Sequence, residues 1–139
     1  MPSSAPVEQS PIGIKVALHV GPSPHGLGVF ADQAIKPNQV IEVCPTIVLP
    51  AAQVDDVDRT AMVEYVYPWE DGNIAVLGYG MIYNHAVDSN AEYFALREPD
   101  LGVVVQVYSA VRPIEEGDEI TVNYAGARGL TQRMWFDDK

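Results

Sequence analysis

The strongest constraint in this sequence is the brevity of its apolar runs. Ile12, Ile14, Val16, Leu18 and Val20 alternate with small or polar residues, the period of a half-buried strand. Val29-Phe30-Ala31 and residues 40–49 are also strand-like, separated by the turn Lys36-Pro37-Asn38. Further strands are predicted at residues 74–77, 91–96, 102–108 and 119–124, with turns at Asp71-Gly72-Asn73 and Glu116-Gly117-Asp118. Residues 21–28, Gly-Pro-Ser-Pro-His-Gly-Leu-Gly, read as a loop. Only residues 53–65 carry a helical period. Val54, Val57, Ala61 and Tyr65 share a face, and Asp55, Asp56 and Asp58 suit the positive end of a helix. Many short strands and one helix predict a mainly β fold.

A length of 139 residues predicts one domain, and 47% hydrophobic residues give it a core without disulfides or metals. The Pro/Ser-rich residues 1–11 are expected to be a flexible tail, residues 12–136 the domain, and 137–139 its end. The single cysteine, Cys44, excludes internal disulfides and cysteine-rich zinc sites. It lies in an apolar stretch and reads as a small buried hydrophobe. His19, His25, His85 and Asp88 form no metal-ligand pattern. The net charge of −11 opposes contact with nucleic acid and favours a basic protein or peptide. No leader or membrane-spanning run is visible, so no membrane contact and a cytoplasmic location are expected.

One echo stands out. Ala34-Ile35-Lys36-Pro37 before Val40-Ile41-Glu42-Val43 resembles Ala110-Val111-Arg112-Pro113 before Glu119-Ile120-Thr121-Val122. Either two turns use the same chemistry, or two similar β units are related by pseudo-symmetry.

Three motifs could carry chemistry. Gly26-Leu27-Gly28 lets a backbone approach a ligand closely. It is no dinucleotide fingerprint, and no Gly-Lys-Ser/Thr follows it. Asn84-His85, with Asn90 after it, brings amide and imidazole groups to a strand end, either as structural hydrogen-bonding residues or as ligand contacts. Glu119-Ile120-Thr121-Val122-Asn123-Tyr124 is a strand closing on a tyrosine.

In this order and at these spacings, the three segments resemble the SET domain of protein lysine methyltransferases, in a small stand-alone form of bacterial or viral type. The stretch Tyr83-Asn84-His85-Ala86-Val87-Asp88-Ser89-Asn90 is similar to the family's Asn-His-Ser-Cys-x-Pro-Asn region. Residues 119–124 are similar to its Glu-Leu-x-x-Asp-Tyr. Met81, Val87, Ser89 and Asn123 depart from the usual Arg, Cys, Pro and Asp. The resemblance implies a β-clip-like fold of small curled sheets with a short helix and a knot-like C-terminal threading. It implies S-adenosylmethionine as cofactor, without metal, and a lysine-bearing protein or peptide as substrate. By carry-over, Gly26, Leu27, Gly28, Asn84, His85 and Tyr124 contact the cofactor, and Tyr124 is the catalytic residue. Trp135 and Phe136 replace the cysteine-rich closing segment of many relatives. Tyr79, Tyr83 and Val122 line the lysine channel, for which Tyr65 and Tyr67 are further candidates. Val122 stands where many relatives have Phe or Tyr, so higher methylation states are expected. A homodimer would be one way to cover the cofactor of so reduced a domain. Two other readings stay open: a catalytically weak SET-like protein-binding module, and an unrelated β-rich interaction domain.

Overall fold

The computed structural model describes residues 11–124. They form ten strands in two sheets: β1 (Gly13–Ile14), β2 (Leu18–Ser23), β3 (Gly26–Ala31), β4 (Val40–Leu49), β5 (Tyr67–Trp69), β6 (Gly72–Val76), β7 (Asn84–His85), β8 (Ala91–Glu98), β9 (Val103–Ala110) and β10 (Glu119–Val122). The larger sheet has the order β5-β6-β4-β9-β8, with β1 also paired to β4; the smaller has the order β2-β3-β10-β7. The class is mainly β, as the sequence predicts. The expected C-terminal threading and the positions of Trp135 and Phe136 lie outside the described residues.

The predicted strand over residues 12–20 is two strands in different sheets. Gly13 pairs with Val43, whereas Leu18 pairs with Ala31. Between them the Lys15 amide donates to Ile41 O and the Ala17 amide to the Gln33 side chain. The alternation holds from Val16 to Val20, whereas Ile14 is 45% exposed, and the chain changes partners between the two parts. The glycine- and proline-rich stretch 21–28 is likewise no open loop. It is most of a hairpin, in which Gly21 faces Gly28 and Ser23 faces Gly26. Pro24 and His25 make its turn, and Gly26 follows at φ +103°, the pattern of a tight turn with a glycine bulge.

The predicted helix over 53–65 breaks into three pieces: 3-10 turns at Ala51–Gln53 and Ala61–Glu64 flank α1 (Val54–Asp58). Thr60 is the cause. It takes an extended conformation, and its hydroxyl accepts the Met62 amide, capping the second turn. None of the three pieces buries a residue. Their apolar side chains therefore have no core to reward a longer helix.

The echoed segments are related by pseudo-symmetry, in a register that the sequence comparison only half identifies. Ile35 pairs with Ile114. Each begins a turn closed in the same way: Gln39 N–H donates to Lys36 O at 3.1 Å, and Asp118 N–H to Glu115 O at 3.0 Å. Side chains close the same turns again, Gln39 onto Lys36 N–H and Asp118 onto Glu115 N–H, both at 3.0 Å. Asn38 at φ +69° matches Gly117 at φ +94°, as a type II turn requires at its third residue. The structural counterpart of Ile35 is therefore Ile114 rather than Val111, while Val40 and Glu119 correspond as expected.

The core collects Val29, Ile35, Ile41, Ile74, Tyr83, Tyr108, Ile114, Ile120 and Val122, all at most 2% exposed. In the smaller sheet, β7 and β10 pair in parallel with Thr121 opposite Asn84 and Val122 opposite His85. This ladder brings the second and third motifs together, and the pairing of β10 with β3 adds the first.

Candidate functional site

Asn84 lies where the three motifs meet. Its Nδ2 is 2.7 Å from Glu119 Oε2, 2.9 Å from Leu27 O and 3.1 Å from Ser23 Oγ. One amide thus ties the hairpin tip to β10. Oδ1 has no hydrogen bond among the described residues, and an acceptor there suits an ammonium group. Gly28 lies against the same cluster: a Cβ on it would sit 2.4 Å from Glu119 Oε2 and 3.2 Å from Asn84 Nδ2. The close approach that a glycine allows is here an approach of β3 to these side chains. Gly26 faces open space at the turn, and Leu27 is 61% exposed beside it.

His85 and Tyr124 form the second cluster. The Tyr124 amide donates to His85 Nδ1 at 3.0 Å, which places the imidazole proton of the neutral ring on Nε2. The two rings lie 5.1 Å apart. The Tyr124 hydroxyl donates to the Tyr83 carbonyl at 2.7 Å, and its own carbonyl accepts the Tyr93 hydroxyl at 2.7 Å. Burial, then the neighbouring Tyr65 and Glu119, pushes the Tyr124 hydroxyl above the ordinary tyrosine range, so it stays a protonated donor.

Other tyrosines surround this point. Tyr67 meets Tyr93 edge-on at 4.9 Å and Tyr124 at 6.4 Å. The Tyr67 and Tyr108 hydroxyls lie 3.3 and 3.2 Å from Gly80 O, and Gln106 donates to Tyr108. Tyr83 and Val122 are fully buried. The Tyr83 ring stacks on Tyr108 at 4.3 Å and its hydroxyl donates to Glu42. Its side chain therefore faces the core, and the atom it turns to Tyr124 is its carbonyl oxygen. Val122 is enclosed. Tyr79 is half-buried, with its amide on Glu42. Asn90 pairs with the backbone of β10, donating to Glu119 O and accepting from Thr121 N–H, both at 2.9 Å. It fixes β10 through both ends of its amide.

Motif reasoning missed Tyr93 and Glu42. Tyr93 had a signal, since it shares strand parity with the buried Ala91. Glu42 had one as a lone carboxylate within Ile41-Glu42-Val43-Cys44. Among the described residues, no group of three His, Cys, Asp or Glu could hold a metal. No helix among them is long and apolar enough to cross a membrane.

The SET domain family model matches residues 26–125, and the chain belongs to that family. A Plasmodium falciparum structure described as a candidate histone methyltransferase is 30% identical, with a TM-score of 0.70 over 88% of this chain and 99% of its own. A structure from work on product specificity of histone lysine methyltransferases is 20% identical, with a TM-score of 0.67 over 81% of this chain and 51% of its own. A humanized mutant of Polycomb Repressive Complex 2 from Chaetomium thermophilum is 20% identical, with a TM-score of 0.65 over 86% of this chain and 16% of its own. The latter two share the fold. No curated protein matches the chain. Family and fold together support a methyltransferase.

Proposed function

We propose that this protein transfers a methyl group from S-adenosylmethionine to the ε-amine of a lysine in a basic protein or peptide. The observation that carries this reading is the Tyr124 hydroxyl, held on the Tyr83 carbonyl within a group of tyrosines. S-adenosylmethionine, when bound, supplies an electrophilic methyl on a sulfonium. The chain's task is then positioning and desolvation. Asn84 Oδ1 would receive the cofactor's ammonium group, beside Gly26, Leu27, Gly28 and His85. Trp135 and Phe136, outside the described residues, would close over the adenine.

The acceptor amine must be neutral to attack. A free lysine has a pKa of about 10.4, so only about one in a thousand is neutral near pH 7.4. Aromatic, water-poor surroundings such as those of Tyr67, Tyr79 and Tyr93 disfavour the charged form. Tyr124 would orient the amine and stabilise developing charge through its hydroxyl. The charge of −11 draws a basic partner and opposes direct nucleic-acid contact. Placement of Tyr124 by three hydrogen bonds favours turnover over a binding-only module.

Calorimetry with S-adenosylmethionine and S-adenosylhomocysteine, using Asn84→Ala as control, tests the reading. Binding lost in the variant supports the cofactor site. Absence of binding to either ligand by the folded wild type refutes the reading.

A further inference from the structure

Glu42 is 2% exposed, and among the described residues no cation pairs with it. Buried carboxylates are costly unless they are hydrogen-bonded, and each oxygen of this one accepts from a neutral donor. Oε1 accepts the Tyr83 hydroxyl at 2.7 Å. Oε2 accepts the Tyr79 amide at 3.1 Å, and the Cys44 side chain faces the same spot beside Gly78. The chain also makes room for it: a Cβ at Gly78 would stand 2.3 Å from Oε2. A plain apolar residue would fill β4 at no such cost, so the carboxylate needs a use.

Its contacts suggest one. Tyr79 and Tyr83 bracket the segment that ends at Asn84-His85. Glu42 grips that segment at both ends, once by backbone and once by side chain. The carbonyl that receives the Tyr124 hydroxyl belongs to Tyr83, the residue whose ring hydroxyl Glu42 holds.

Resting on the methyltransferase reading above, we propose that Glu42 is a positioning residue for methyl transfer: it fixes the Tyr79–Tyr83 segment so that the Tyr83 carbonyl aims the Tyr124 hydroxyl. It acts from the core without touching cofactor or substrate.

The test uses the full chain with Glu42→Gln, Tyr83→Phe and the double variant. Gln keeps the size and an acceptor for the Tyr79 amide but turns an NH2 group to the Tyr83 hydroxyl; Phe removes that hydroxyl alone. Tyrosines labelled with carbon-13 at Cζ give one NMR signal each, and that of Tyr124 reports its hydrogen bond without any turnover. In parallel, methylation of core histones gives kcat, and S-adenosylhomocysteine calorimetry gives Kd. Each single variant is expected to move the Tyr124 signal, leave that of exposed Tyr65 in place, and lower kcat about tenfold with Kd within about threefold. The double variant is expected to be no worse than either single one, because both act through one link. An unmoved Tyr124 signal in folded variants overturns the proposal, as does a loss of cofactor affinity matching the loss of kcat. A wild type that shows the coupled signal but methylates nothing overturns the methyltransferase reading, and with it the catalytic purpose of the link, while the link itself stands.

Discussion

Tyr124 and Tyr83 are 41 positions apart, yet the hydroxyl of one donates to the carbonyl of the other at 2.7 Å. The contact exists because β10 runs parallel to β7 and delivers Tyr124 just past His85. The family motif marks Tyr124; the hydrogen bond says which way its hydroxyl points.

Removing that hydroxyl tests its role directly. Tyr124→Phe keeps the ring against His85 and Tyr67, so the fold and the Asn84 cluster are retained. Turnover is expected to fall by roughly 100-fold or more, in the range of lost transition-state hydrogen bonds, with S-adenosylhomocysteine affinity within about threefold. Wild-type turnover in single-turnover assays would remove Tyr124 from the mechanism.

Gly28 gives a prediction about the hairpin. In Gly28→Ala, the new methyl group meets Glu119 and presses on Asn84. The cluster must shift, and cofactor affinity is expected to fall about tenfold or more by calorimetry. An unchanged affinity would show that the Asn84 cluster plays no part in binding.

Two glycines with similar backbone angles are expected to respond differently to alanine. Gly78 has φ +63° with Glu42 behind it, whereas Gly102 has φ +70° facing open space. Gly102→Ala is expected to cost about 1 kcal/mol of conformational strain. Gly78→Ala adds a buried clash and is expected to cost roughly 2–4 kcal/mol. Urea unfolding separates the two, and equal losses would contradict the placement of Glu42.

The buried tyrosines predict how stability varies with pH. Burial raises the hydroxyls of Tyr67, Tyr83, Tyr108 and Tyr124, and the thiol of Cys44. A raised native pKa means that the unfolded chain loses its proton first. The contribution of these groups is therefore complete below their unfolded values, near 8.5 for the thiol and about 10 for the phenols, and declines at higher pH. Tyrosinate absorbance at 295 nm is expected to rise for Tyr67, Tyr83 and Tyr108 together with loss of structure. Their titration in a still-folded chain would contradict the burial described.

Strand class and most strand positions were legible because alternation survives in short runs. Partner changes were not: nothing in Ile12 to Val20 marks the point where one sheet hands over to the other. The helical period over 53–65 does not yield one helix because period alone does not show whether a face has anything to pack on, and Thr60 can cap as readily as continue. The echo was legible in its second half, where Val40 and Glu119 correspond. Its first half misled because Lys36-Pro37 and Arg112-Pro113 look alike while only Pro37 lies inside the turn. Of the site, Asn84, His85, Gly28 and Tyr124 were legible as a motif set. Glu42 and Tyr93 stood outside the motifs and carried only a local signal, a lone carboxylate for the first and strand parity for the second, because their partners are distant in sequence.

The pairing of β7 with β10 has a kinetic consequence. It is a parallel ladder of two residues on each side, at the edge of the smaller sheet, whereas β8 and β9 share eight paired positions in the larger one. Short edge pairings are the first to open in a native protein. The amides of Ala86 and Tyr124, which donate to Val122 O and His85 Nδ1, are thus placed to exchange with solvent deuterium well before those of β9. The Asn84-His85 and Tyr124 cluster can come apart and re-form while the larger sheet stays folded, and a bound cofactor would be read as slowed exchange at these two amides.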